Sequence, residues 1–578
     1  MTGGSITASG TEAVGIYSEI NNTDTNLSGG TIRAENGGIG LYAGTGSVMN
    51  LNQGVNLTAG NKGLLFYNYD TAGLAGKYNM TGTVAATVEN GGNAFYVKNG
   101  QALTSYLNNS FTGSGKLELT MDSGSKLYIL EGTGTTLSLS SLDGMVNPGS
   151  SLTNNVIISS ASASDYIPLS MNKGALILDR NVNLDSSSEL YKRSEFSSVK
   201  VDLTSGNSIT GSQSDQTGIA QRNYENSSGK DAVKITNDGS IALTGNNAVG
   251  IASDYGHVVN NSTVKTTGEK SVAIYSANGT TTENNGEIVI GGNNSAGIYG
   301  ANYLDGINSS AVLKYGDDKI DISNNGRIIS EGNGKVYGIY ADNKYLSRND
   351  SAVRLGSGSN IDLSSSNGGV GIYANSTRLT GEGILSVGNS GVGLYAKDSD
   401  VNLNNFTLNL NGDKALGFYL DGNTNFTGNG NININGNGIL VFNINSNGTF
   451  TNEYKSQLDY AAAGGLQITK ALNGRDMEKD QFTFTVTPKA TEGSTTAEEA
   501  AEKFGLANAA NTYKNEAAEA GAVTTINVLD GKNVTFTQAD AGKTFTYEAA
   551  ETAGTNTTYT YNKDVRTVTV KVKDNNNS

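Results

Sequence analysis

Short runs of alternating apolar and polar residues, bounded by Gly, Asn or Ser, recur along the first three-quarters of the chain. The commonest run is a small or apolar residue, Gly, an aliphatic residue and an aromatic residue. It stands at Val14-Gly15-Ile16-Tyr17, Ile39-Gly40-Leu41-Tyr42, Leu64-Leu65-Phe66-Tyr67, Ala273-Ile274-Tyr275, Gly297-Ile298-Tyr299, Gly338-Ile339-Tyr340, Gly371-Ile372-Tyr373, Gly393-Leu394-Tyr395, Gly417-Phe418-Tyr419 and Ile439-Leu440-Val441-Phe442. Most neighbouring copies are 22–25 residues apart, and the longer steps of 41 residues (Tyr299 to Tyr340) and 33 residues (Tyr340 to Tyr373) are what loop insertions into a repeat produce.

Second alternating segments lie between these copies, such as Thr31-Ile32-Arg33-Ala34, Glu287-Ile288-Val289-Ile290 and Arg327-Ile328-Ile329-Ser330. Alternation bounded by turn formers predicts strands, and no capped 3.6-residue period in residues 1–450 predicts a helix. Two or three short strands per period of about 24 residues fit one coil of a parallel β-helix, in which each coil pairs with the next at about 4.8 Å and like positions stack. A propeller blade would need about 40–50 residues. Along each motif strand Val14, Ile16 and Ser18 should point inward and Gly15 and Tyr17 outward. The aromatic positions Tyr17, Tyr42, Tyr67, Tyr275, Tyr299, Tyr340, Tyr373, Tyr395, Tyr419 and Phe442 should then form a ladder along one side.

Composition supports this reading and removes several functions. Gly 76 with Pro 3 suits a fold that turns many corners and keeps every ladder donor. The net charge of −15 leaves no electrostatic footprint for nucleic acid. With Cys 0 and a single His257 there is no thiolate chemistry, disulfide or His-His metal site, so no catalytic residue, metal or cofactor is expected. No run is long and apolar enough to span a bilayer, and Met1 leads straight into polar residues, so any export signal or anchor is expected outside this chain.

The expected organisation is all-β: β-helix coils over 1–100, degenerate coils or a lateral insertion over 101–235, further coils over 236–450, a linker over 451–464, and a small β-sandwich over 465–578. In that last part the Asn-rich texture stops. Leu466-Gln467-Ile468-Thr469-Lys470, Phe482-Thr483-Phe484-Thr485-Val486, Val534-Thr535-Phe536-Thr537, Phe545-Thr546-Tyr547 and Arg566-Thr567-Val568-Thr569-Val570-Lys571-Val572 alternate as one-face-buried strands do. The Ala- and Glu-rich stretch between Thr495 and Ala520 predicts a short helix or ordered loop.

Two families are resembled. The repeated Gly-Ile-Tyr-Ala coils of residues 1–450, with Asn246-Asn247-Ala248-Val249-Gly250-Ile251, resemble the passenger of fusobacterial type V autotransporter adhesins. That resemblance implies a right-handed parallel β-helix on the outside of a bacterial cell, binding host cells or other bacteria, with a host receptor or surface glycan as partner. The tail resembles Gram-positive pilin-type isopeptide domains through Ile468-Thr469-Lys470-Ala471-Leu472-Asn473-Gly474-Arg475, Gln481-Phe482-Thr483-Phe484, Thr544-Phe545-Thr546-Tyr547 with Glu551, and Val568-Thr569-Val570-Lys571-Val572. In that family a first-strand Lys attacks an Asn side chain while a buried Glu shuttles protons. The resemblance implies Lys470 as the amine and Glu551, rather than Glu548, as the acid. The family's Phe-Thr-Asn-x-Tyr strand is expected beyond Ser578, with Asn575, Asn576 and Asn577 as the nearest candidates and a further copy of the motif at Phe450-Thr451-Asn452-Glu453-Tyr454. On this reading Lys470 makes no isopeptide bond within residues 1–578.

The function expected is that of an extracellular adhesin fragment at the bacterial cell surface, not an enzyme. A polysaccharide-cleaving β-helix and an inert stalk are the alternatives, the former requiring a carboxylate cluster on one face.

Overall fold

A computed structural model describes residues 1–19, 24–68, 76–97, 103–132, 134–143, 152–161, 165–223, 229–302, 319–343, 351–457, 466–529, 534, 536, 540 and 542–572. Up to Gln457 nearly every strand pairs in parallel with its counterpart one coil away, which makes this part a parallel β-helix. In the first coils three strands make three faces: Thr2–Ser9, Val14–Ser18 and Asp24–Leu27 pair with Gly29–Glu35, Ile39–Ala43 and Val48–Leu51. The face carrying the aromatic motif then continues as a nine-stranded sheet from Thr217–Arg222 to Leu440–Ser446. The other two faces join into one 19-stranded sheet ending at Phe450–Gln457. Their shared corner is first a two-residue turn, as at Asp238-Gly239, and later a bulge inside single strands such as Asp400–Leu410, where Asn405 has φ 51°.

The described strands between 111 and 222 are coils of the same β-helix. Lys116–Met121 pairs with Thr83–Val88 on one side and Val156–Ala161 on the other, and Lys200–Leu203 pairs with Lys234–Asn237. Their tyrosines are missing because Ile129 and Ser170 follow Tyr96 in register. Two expectations fail here. Helix is present, as Leu103–Ser110, where Leu103, Tyr106, Leu107 and Ser110 form a buried stripe too short to register as a periodic pattern. The segment from 451 is not a linker at its start, since Phe450–Gln457 is the final strand of the β-helix, with Phe450 on Phe426 and Asn452 on Gly428.

Register makes the core a set of columns. Ile219, Ile251, Ile274, Ile298, Ile339, Ile372, Leu394 and Phe418 occupy one position in successive coils and are at most 1% exposed. The motif glycine precedes them for a steric reason: a Cβ on Gly338 or Gly371 would meet the carbonyl oxygen of the next coil at 2.5 and 2.6 Å. In the N-terminal coils aromatic rings fill the interior instead, with Phe66, Phe95 and Tyr128 stacked at 5.6 Å steps.

A polar column also runs inside. Asn237, Asn260, Asn284 and Asn324 are fully buried, and each Nδ2 donates to the next Oδ1 at 2.7 Å, the last donating to Ser359 Oγ at 2.8 Å. Buried amides are tolerable here because, beyond Asn237 at the start of the column, one donor and one acceptor of each are used. Asn237 Oδ1 lacks a partner because the residue below it in register is Leu203.

Residues 466–572 form a separate antiparallel unit. Gln467–Ala471 pairs with Val523–Asn527, and Asn511–Lys514, Thr483–Lys489, Thr544–Thr552 and Val565–Lys571 lie in that order in a second sheet. Apolar residues between the sheets form its core, including Val486, Phe504, Phe545 and Tyr547. The expected strand 534–537 lies largely outside the described residues, whereas Asn511–Lys514 and Val523–Asn527 are strands that the sequence pattern did not reveal. The Ala/Glu-rich segment holds the helix Ala497–Lys503, started by a capping box between Thr496 and Glu499.

The polar column yields a stability test. Asn284→Ala leaves the buried Asn324 Oδ1 without its donor and Asn260 Nδ2 with only its bond to Ser262 O, at about 1–3 kcal/mol in all. Asn285→Ala, next door on the exposed corner, should change stability by less than about 0.5 kcal/mol. Urea melts of both variants measure the difference, and equal small effects would show that the column contributes nothing.

Candidate functional site

Lys470 and Glu551 come from strands of different sheets. In Gln467–Ala471 the alternation exposes Gln467, Thr469 and Ala471 and turns Ile468 and Lys470 inward. In Thr544–Thr552, Phe545, Tyr547, Ala549 and Glu551 share the inner face. Glu548 lies on the opposite face, where it pairs with Lys489 at 2.9 Å in partial solvent. The two inward side chains meet: Lys470 Nζ donates to Glu551 Oε1 at 2.8 Å and Oε2 at 2.9 Å, with side-chain exposures of 12% and 4%. The Phe482 ring lies 4.2 Å from the ammonium, and the backbone N–H of Asn562 donates to Glu551 Oε2 at 3.0 Å.

Nucleophilic attack by Lys470 requires the neutral amine, and a proton shuttle requires the neutral acid. Transfer of one proton along the existing hydrogen bond converts the ion pair into that amine and acid.

A cleft of about 510 Å³ opens beside the pair, lined by residues 466–471 and 549–551, by Asn562 and Asp564, and by Arg566 and Val568. Among the described residues, Gln467–Ala471 pairs only with Val523–Asn527, and Val565–Lys571 only with Thr544–Thr552. Two strand edges that have no further strand partner among the described residues therefore border the cleft. An extended segment would find main-chain partners there.

Residues 466–578 match the FctA family model, a Spy0128-like isopeptide containing domain. No curated protein and no solved structure matches the chain. In this matched segment Asn575, Asn576 and Asn577 lie outside the described residues. The strand before them ends at Lys571, opposite Thr544, at the far end of the strand pair from Glu551. Asn452 belongs to the β-helix and is engaged locally, its Oδ1 accepting from Tyr454 N at 3.1 Å.

The aromatic ladder is two columns. Tyr17, Tyr42 and Tyr67 continue to Tyr96, with centroids 4.8, 4.9 and 5.1 Å apart. Tyr96 was legible in Phe95-Tyr96-Val97 but lacks the motif glycine. The second column runs from Tyr275 through Tyr299, Tyr340, Tyr373 and Tyr395 to Tyr419, at spacings of 4.4–5.5 Å and within 16° of parallel. Phe442 is not in it. Phe442 pairs with the inward Phe418, and Asn443 takes the position above Tyr419, because the last motif copy is offset by one residue and a one-residue shift changes the face. Burial, followed by the nearby Asp421 carboxylate, pushes the Tyr395 phenol up to about 12, so that ring stays uncharged at neutral pH.

His257 lies between two carboxylates, with Nδ1 2.7 Å from Asp231 and Nε2 3.2 Å from Glu283. Its hydrogen bond holds the Asp231 carboxyl below its usual value. These groups sit on three successive coils and tie them together.

The Lys470–Glu551 pair has a distinct stability signature. Glu551→Ala leaves a buried ammonium and should cost about 3–5 kcal/mol, while joint Lys470→Met and Glu551→Leu replacement should restore most of it. Urea denaturation of the two variants distinguishes this from a surface pair, whose loss would cost less than about 1 kcal/mol.

Proposed function

We propose that the chain is a bacterial cell-surface protein in which an extended β-helix is displayed and an isopeptide-type module strengthens its end. The buried Lys470–Glu551 pair at the mouth of a strand-lined cleft, within a module that matches an isopeptide family, carries this reading. The acceptor is an Asn on an extended segment that enters the cleft between the two unpaired edges. The Lys470 nitrogen bonds to the Asn side-chain carbon and ammonia leaves, while Glu551 takes the amine proton and returns it to the departing nitrogen. The Lys571 end of the last described strand is about 23 Å from Glu551, seven residues of strand away, which favours an acceptor other than Asn575, Asn576 or Asn577.

In the finer reading the β-helix is an adhesin passenger that binds host cells or other bacteria. Its rows of Asn, Ser and Thr offer donors and acceptors suited to glycans. Pyranose stacking on the tyrosine columns is disfavoured, because each ring face inside a column is covered by the next ring. The stalk reading draws support from the same observation.

A synthetic peptide carrying Phe-Thr-Asn-Glu-Tyr should become attached to the chain with loss of one ammonia, and mass mapping should place the bond at Lys470. Lys470→Arg and Glu551→Gln should each abolish attachment; an adduct that survives Lys470→Arg would refute the assignment. Fluorescently labelled protein should bind epithelial or bacterial cells and be displaced by unlabelled protein. Failure on every surface tested would leave the stalk.

A further inference from the structure

The second tyrosine column is a regular array of oxidisable rings. Tyr299, Tyr340, Tyr373, Tyr395 and Tyr419 stack with centroids 4.4–5.1 Å apart and planes 4–10° from parallel. They occupy one register position of in-register parallel strands, so like atoms face like atoms and each ortho carbon lies about one ring spacing from its counterpart. All five are half-buried, with faces covered and edges reaching solvent, whereas Tyr78 and Tyr128 are sealed inside. The chain has Cys 0 and Trp 0, so the side chains that most readily intercept an oxidising equivalent do not compete with these phenols.

We propose that this column is an oxidative cross-linking site at which neighbouring coils are joined by carbon–carbon bonds between tyrosine rings. The co-reactant is hydrogen peroxide used by a haem peroxidase. Each of two adjacent phenols gives up one electron and one proton. The resulting phenoxyl radicals couple ortho carbon to ortho carbon, and the displaced ortho hydrogen of each ring moves to its oxygen to restore the phenol. Peroxide accepts the two electrons and two protons and leaves as two waters, so each bond removes two hydrogen atoms from the protein. The backbone already holds the partners one strand spacing, about 4.8 Å, apart, so ring rotation with a small shift of the two side chains closes the bond. In a solenoid, where disorder spreads between nearest neighbours, each bond blocks one step of unzipping and restricts the unfolded chain.

The test treats the full chain, dilute enough to prevent contact between molecules, with a haem peroxidase and limiting peroxide. Expected results are blue dityrosine fluorescence, a monomer lighter by two hydrogens per bond, linked peptides joining Tyr340 to Tyr373 and Tyr395 to Tyr419, and a raised melting temperature. Tyr373→Phe keeps the stack and should remove the links on either side of it while sparing Tyr395–Tyr419. Replacing Tyr299, Tyr373 and Tyr419 together by Phe leaves no adjacent pair and should remove every link in the column. The proposal is overturned if no dityrosine forms, if the links join separate molecules, or if they map to tyrosines outside the columns.

Discussion

The β-helix depends on one constraint, the in-register parallel pairing of each coil with the next. Because the hydrogen bonds of every strand are made to the equivalent strand one turn away, a side chain is placed on its own counterpart. Apolar positions then become continuous columns, and the interior is solved once and repeated. The same constraint lets an asparagine be buried, since the amide above supplies what the amide below lacks. Chain between strands is free to vary in length as long as it returns in register, which is why 41 residues can separate Tyr299 from Tyr340 while their rings remain 4.8 Å apart.

The tail obeys a different logic. Its two antiparallel sheets bury a small core, and they turn one ammonium and one carboxylate into it where neither could stand alone. A pair so placed contributes little net stability, because desolvation opposes its attraction. The step from this ion pair to a neutral amine and acid is a single proton transfer along a hydrogen bond already formed.

Columns also shape what the surface can offer. A stacked row of aromatics presents mainly edges and hydroxyls rather than faces, so the regularity that makes it conspicuous disfavours its use as a sugar platform. What remains accessible is a polar surface of side-chain amides and hydroxyls, and a row of rings held close enough to react with one another.

The sequence by itself determined the solenoid, through a motif period near 24 residues, and a β-rich tail, through alternating strands, with Lys470 and Glu551 singled out by the family resemblance. That resemblance also preferred Glu551 to Glu548, and the structure puts the two on opposite faces of one strand. Tertiary structure decided the rest. Phe442 left the tyrosine column because a one-residue offset is invisible in a motif and reverses a face in a sheet. The buried asparagines looked like the corner residues beside them, because Asn237, Asn260, Asn284 and Asn324 share their local sequence with exposed Asn261 and Asn285, and only the packing of coils assigns inside and outside. The cleft beside Lys470 arises from two strand edges nearly a hundred residues apart, and no local pattern records which edges a fold leaves unpaired.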